Sequence, residues 1–500
     1  MSVRVWIAAA VALVPAACTP DPTVTPVDTG PSDSGPVDLG APPVDAGPID
    51  AGGADSGAPD SGTVTGPIPS YPQRPGDPVR GYQVLVNGGY VGCGLPYSAY
   101  RQVTGPAPPH LRLPGRNALN EDLPYNFNAF VTSSSVTVAN PNCLSCHASL
   151  LNGQVIVGLG DSRADFTDDQ AAAAELAGFL VMDPKERVEW RKWADRIGAI
   201  APYIQTKVIG ANPADNLAAA LFAHRDQSTL EWSTTPLLEL PPARPTPVDV
   251  PPWWRMKKKN AMFYTVAGRG DHARMMMTAS VLCVDSVEQA RAIDAEFPDV
   301  RAYISSLEAP PFPGPIDPTL AAAGEEVFDT YCSRCHGSYG PDGEYPNLVV
   351  DLAEVGTDPE LAVGAGYYAE RFRNWFNGSF YGELAQLVPL TGYLAPPLDG
   401  IWATAPYLHN GSVPDLPTLL DPTTRPTYWS RTFDSADYDL ATLGWRYTRS
   451  AVGQDGEPNA TRRARLYDTT LPGYGNGGHN FGARLTAEER VAVIEYLKTL

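Results

Sequence analysis

Two five-residue strings carry the plainest chemistry in the chain: Cys143-Leu144-Ser145-Cys146-His147 and Cys332-Ser333-Arg334-Cys335-His336. Two thiols three positions apart, with an imidazole directly after the second, match the C-x-x-C-H signature of covalent c-type haem attachment. Each thiol can form a thioether to a vinyl group, and the adjacent His reaches the iron from one face. Zinc would need two further ligands at each motif. A thioredoxin-type dithiol has no need of His in fifth place, twice. The spacing therefore predicts two covalently bound haem c groups. Cys143, Cys146, Cys332 and Cys335 are the attachment points, and His147 and His336 are iron ligands.

Three of the seven cysteines remain: Cys18, Cys93 and Cys283. Met1 to Arg4, the apolar run from Val5 to Val14 and then Pro15-Ala16-Ala17-Cys18 form an export signal. The run is too short for a stable membrane span. Cys18 after two Ala resembles a lipobox, with Pro15 where an aliphatic residue is usual. Residues 1–18 are thus expected to be a lipoprotein-type signal peptide, with membrane anchoring by lipid on Cys18. The expected location is periplasmic or cell-surface, as an outer-membrane lipoprotein. Cys93 and Cys283 either pair, which an oxidising compartment permits, or stay as two separate thiols.

The opposite face of each iron needs a second ligand or stays open. Downstream of His336 no Met occurs, and the only histidines are His409 and His479. His479 is favoured, because Gly477 and Gly478 let backbone approach a porphyrin edge closely; His409 is the alternative. For the first motif His110, His224, His272 and several Met are candidates, and the sequence does not choose among them. An open position there would admit oxygen or peroxide, the step from carrier to enzyme. His272 and Trp254 are the candidate catalytic residues. Trp253 and Trp254 could also lie between the two groups, or be core aromatics. Arg255 with Lys257 to Lys259 is the one strong basic run. It would meet propionates, dock an acidic partner, or form a solvated face.

Several elements must position these groups. A helix from Ala321 to Tyr331 leads into Cys332. Thr486 and Glu489 form a capping box for a closing helix with Val493, Tyr496 and Leu497 on its apolar side. An entry helix and a closing helix around C-x-x-C-H resemble a class I cytochrome c domain. Before Cys143, Ser133 to Val138 alternates like a strand. Helices are expected from a Thr167 cap to Leu180, after Asp183-Pro184, and from Asn212-Pro213 to about His224.

The 500 residues include 51 Pro and 46 Gly and carry a formal charge of −20. Much of this bias lies in residues 19–75, which hold eight Asp and 13 Pro and no Lys or Arg before Arg74. Such a segment cannot bury enough apolar surface to offset its ordering entropy, so it reads as a disordered tether. The acidic balance argues against a nucleic-acid partner. No apolar stretch of 18 residues follows the N-terminus, which excludes a multi-span membrane protein.

Tyr393 to Ser412, reading YLAPPLDGIWATAPYLHNGS, resembles the bacterial di-haem cytochrome c peroxidase superfamily. With the Trp253-Trp254 and Lys257 to Lys259 segment, Gly268-Arg269-Gly270-Asp271 and Gly477 to Gly482, the chain is most similar to the rubber-oxygenase-like branch. The likeness runs from about Gly81 to Leu500. It implies a mainly α fold of two cytochrome c-like haem domains, residues 76–310 and 311–500, with few short strands. It implies that the N-terminal haem, on His147, is the oxygen site. It implies that the C-terminal haem, on His336, transfers electrons and has two His ligands, which supports His479. An apolar gate residue belongs to that branch; Phe263 is the candidate here, and His272 could intrude instead. The function expected is an exported di-haem oxidoreductase using oxygen or peroxide. Its partners would be a small-molecule oxidant or a redox protein. The alternative is a pure electron carrier with both irons six-coordinate.

Overall fold

Three helices start on the same two residues. Asp77-Pro78, Asp183-Pro184 and Asp317-Pro318 open Pro78–Asn87, Pro184–Ile204 and Pro318–Tyr331. Each Asp accepts from the two N–H groups just inside its helix, and each Pro sits where an N–H would have no helical partner. The closing helix Ala487–Leu497 carries the expected capping box, with both bonds formed between Thr486 and Glu489. A computed structural model describes residues 67–363, 365–389 and 392–500. The signal segment, Cys18 and the tether up to residue 66 lie outside the described residues. No helix among the described residues is long and apolar enough to cross a membrane.

The architecture is helical with six small sheets among the described residues, more strand than a mainly α body implies. Leading into the first motif, Phe127–Val131 pairs antiparallel with Thr137–Pro141, which also pairs with Leu95–Pro96. The strand expected over Ser133 to Val138 therefore starts four residues later, and Thr132 to Val136 forms the hairpin turn. The helix expected from a Thr167 cap begins instead at Gln170, capped by Asp169. Thr167 is occupied in a local turn, giving both its N–H and its hydroxyl to Asp165. Ala214–Ala223 is helical as expected, with His224 at its end. Cys93 and Cys283 are joined in a disulfide, with 5.4 Å between their Cα atoms.

Two larger cores form. In one, Leu85, Tyr90, Leu144, Phe222, Trp253, Met275 and Phe297 pack with Trp375, Phe376 and Tyr381 from the C-terminal half. In the other, Phe328, Trp402, Tyr407 and Tyr496 pack with Leu151, Leu159 and Trp254 from the N-terminal half. Strand Gly268–Gly270 pairs with Ala385–Leu387 across the same division. The entry and closing helices cross at Gly324, where a Cβ would lie 1.9 Å from the Ala492 carbonyl oxygen. Phe328 and Tyr496 meet beside that crossing, with ring centroids 5.2 Å apart.

One boundary differs. Residues 67–75, assigned to the tether from composition, pack on the body as a strap. Ile68 is 1% exposed, and its N–H donates to Asn347. Gln73 donates to Gly270 O and accepts from His272 N. Arg74 pairs with Asp271 at 2.9 Å and Asp294 at 2.8 Å. These few apolar and cationic residues suffice to order the strap, although the composition around them is that of a coil.

Candidate functional site

Each motif is one helical turn. At the first, Leu144–His147, the N–H groups of Cys146 and His147 return to Cys143 O. Asn142 caps the turn through Leu144 N–H, and is itself held by Tyr125 O and Asn128 Oδ1. The Tyr90 hydroxyl accepts from Cys143 N–H at 3.2 Å, and Asn212 Nδ2 donates to Cys146 Sγ at 3.3 Å. The hairpin Ala148–Leu151 with Gln154–Val157 follows, and then Gly158 at φ +91°. Gly158 N–H donates to His147 O and its carbonyl accepts from Trp253 N–H. This turn lays Trp253 on the His147 ring, with centroids 4.8 Å apart and planes 21° apart. Burial lowers the His147 imidazole to about 4, with the Pro251 backbone acting in the other direction.

The second motif stands at the end of Pro318–Tyr331. Cys335 and His336 N–H groups return to Cys332 O, and Gly337 at φ +80° ends the turn. His336 Nδ1 lies 2.8 Å from Pro396 O. Nδ1 therefore carries the proton and donates, which leaves the Nε2 lone pair free to bind a metal. His479 faces this ring, with centroids 6.1 Å and planes 60° apart. Metal–imidazole bonds of about 2 Å put each ring centroid about 3 Å from the metal, so two rings on opposite faces of one ion stand about 6 Å apart. The His336–His479 pair fits that requirement. His479 is at φ +48°, and its Nδ1 is buried without a partner among the described residues. Burial, with His336 and Arg425 nearby, lowers it to about 3. Both imidazoles are thus neutral, the state a metal ligand needs.

The thiols show the same suitability. All four motif cysteines are free. Burial pushes Cys143 and Cys332 up to about 11 and raises Cys146 and Cys335 as well. A redox dithiol of the thioredoxin kind is lowered, not raised. No group of three or more His, Cys, Asp or Glu side chains gathers as a metal cage among the described residues.

The remaining candidates separate. His409 is not opposite His336; it stacks on Tyr393 at 4.2 Å, and its Nε2 is buried without a partner among the described residues. His224 is a satisfied core histidine, stacked on Trp232 with Nδ1 at Ser233 O. His110 is exposed on the rim of a surface groove of about 720 Å³. His272 is buried at the start of His272–Met276, its Nε2 unpartnered among the described residues, and burial lowers it to about 4. Phe263 is 39% exposed at φ +70°. Trp254 donates to Asp399 O and packs in the second core, whereas Trp253 packs in the first. The basic run divides: buried Arg255 donates to Asp399 O and Lys258 pairs with Asp399 at 2.7 Å, whereas exposed Lys257 pairs with Glu308 at the surface.

Arg425 was not evident from the sequence. Its guanidinium donates to Leu419, Asn476, Gly478 and His479 carbonyls and fixes the loop that presents His479. Gly478 lies against Gly356 and Thr357, where a Cβ would meet backbone at 2.1 Å. Pro396, by contrast, falls in the Tyr393 to Ser412 string.

Residues 392–430, which contain that string, match a family described as RoxA-like, cytochrome c-like. The match supports a relation to the rubber-oxygenase-like cytochromes c, and a cytochrome c-like domain binds haem c. Two curated proteins of Sinorhizobium fredii (strain NBRC 101917 / NGR234) are similar. The chain is 26% identical to uncharacterized protein y4iM over 326 residues, which is 57% of this chain and 71% of that protein. It is 29% identical to uncharacterized protein y4iJ over 290 residues, which is 44% of this chain and 46% of that protein. The chain thus spans less than half the length of the second relative.

Proposed function

We propose that this chain is an exported di-haem c-type oxidoreductase. One haem would be held by Cys143, Cys146 and His147, the other by Cys332, Cys335, His336 and His479. The His336–His479 pair, two neutral rings 6.1 Å apart, carries the proposal. A haem held by His336 and His479 would supply single-electron exchange, and one held by His147 would supply oxygen or peroxide chemistry. On the chain's side, Pro396 O holds the proton on His336 Nδ1, and Arg425 presents His479. Trp253 orients His147 by ring contact. Trp254 is assigned to the electron route between the two sites, since it belongs to the core around the second motif while its neighbour lies on His147. His272 is assigned a catalytic role on the strength of its buried Nε2, unpartnered among the described residues. The Cys93–Cys283 disulfide supports an oxidising compartment. With the export signal, it favours a periplasmic or cell-surface protein anchored through Cys18.

Electron paramagnetic resonance and visible spectra of the full-length protein, with and without cyanide, test this. One low-spin haem indifferent to cyanide and one that binds it are expected. Two low-spin haems that ignore both cyanide and peroxide would make the protein an electron carrier. His479→Ala should turn one haem high-spin; an unchanged spectrum would remove His479 from the ligand set.

A further inference from the structure

Behind the first motif the chain buries arginine N–H groups that no acceptor among the described residues takes up. Arg163 and Arg431 are 6% and 7% exposed. Arg163 Nε donates to Phe433 O at 3.0 Å. Arg431 Nη2 donates to the Ser162 carbonyl and to its hydroxyl. The faces of the Arg431 guanidinium are covered by Phe433 and Trp445, at 4.5 and 4.4 Å from the ring centroids. Gly210, at φ +93°, lets Nη2 lie close: a Cβ there would stand 3.4 Å from it. What remains is Nη1 of each of these arginines and Nε of Arg465, all buried and without a partner among the described residues.

Asp161 and Asp249 are the acids whose charge reaches Arg431. Asp161 Oδ1 is taken by the Ser149 hydroxyl and Arg163 N–H. Burial pushes Asp249 up to about 8, raises Asp161 as well, and lowers Arg431 itself to about 9. Neither acid is hydrogen-bonded to the free N–H groups of Arg431 and Arg465 among the described residues. Buried donors left without an acceptor are unfavourable.

Arg431 and Arg465 line a cavity of about 20 Å³ with Ser162, Gly210, Asn410 and Tyr467. That is room for one particle the size of a water molecule. Guanidinium groups only donate, so the occupant must accept from several directions. We propose that this cavity binds a small monovalent anion of the halide class, held by Arg431 Nη1 and Arg465 Nε. The ion ties Val208 to Gly210 to the strand Tyr428–Ser430. Asn212, which touches Cys146 Sγ, lies two residues beyond Gly210, so the ion also steadies a wall of the first motif.

The full-length holoprotein is melted in sodium chloride or bromide against sodium gluconate at equal ionic strength, which removes general screening. A saturating rise of roughly 1–3 °C between 1 and 100 mM halide is expected. Crystals grown in bromide should show an anomalous peak within hydrogen-bond reach of Arg431 Nη1. Arg431→Gln should abolish both signals; should it not fold, Arg465→Gln carries the same test. A cavity holding only water at saturating bromide overturns the proposal. So does a halide effect that persists in the variants.

Discussion

Single buried side chains carry large energetic terms, as Arg425 and His409 show. Arg425 donates to carbonyls on both sides of the His479 loop and to that of His479 itself. Removing it leaves those carbonyls unpaired, at a cost of roughly 2–4 kcal/mol. Arg425→Met is therefore expected to destabilise the protein. It is also expected to convert part of the low-spin haem signal to high-spin, because His479 loses its orientation. A stability loss with an unchanged spectrum would leave Arg425 a structural residue only. His409 makes a pH argument. Burial lowers it to about 3, whereas an unfolded histidine titrates near 6.5. Between these values the unfolded chain takes up a proton that the folded chain refuses. Stability is therefore lost as pH falls from about 6.5, by up to about 2 kcal/mol at pH 5. In urea unfolding at pH 7, 6 and 5, His409→Gln should show a shallower fall than the unmodified protein. Parallel curves would mean that His409 titrates normally.

At the scale of elements, what could be read in advance was what is encoded within a few residues. The motif turns, the Asp183-Pro184 start and the Thr486–Glu489 capping box depend on neighbours in sequence, and each forms where its pattern lies. Thr167 misled because its hydroxyl had a nearer acceptor in Asp165, which left Asp169 to cap the helix. The groups that complete each site come from far along the chain. Pro396 reaches His336 from 60 positions away, and Arg425 reaches His479 from 54. The pairing of Gly268–Gly270 with Ala385–Leu387 is set by tertiary packing, and three-residue strands carry no periodicity to detect. The preference for His479 over His409 follows from Gly477-Gly478 and from the resemblance, and of the two glycines Gly478 makes the close approach to Gly356.

For the molecule as a whole, the strap joins the composition argument to the folded body. Its acidic, proline-rich approach predicts a tether, yet residues 67–75 close over the corner that carries Asp271 and His272. Ile68 buries its side chain fully, and Arg74 bridges Asp271 to Asp294, which Arg274 also holds at 2.9 Å. Burying an isoleucine contributes about 1.5–3 kcal/mol. Stripping Arg74 from two largely buried carboxylates adds to the loss. Two truncations separate tether from strap. A chain beginning at residue 67 should unfold at the same denaturant concentration as the full-length protein. One beginning at residue 76 should be less stable by about 3–5 kcal/mol, with Arg74→Ala accounting for part of the difference. Equal stability of the two truncations would show that the strap rests on the body without holding it. In that case the His272 corner would be fixed by Arg274 and Asp294 alone.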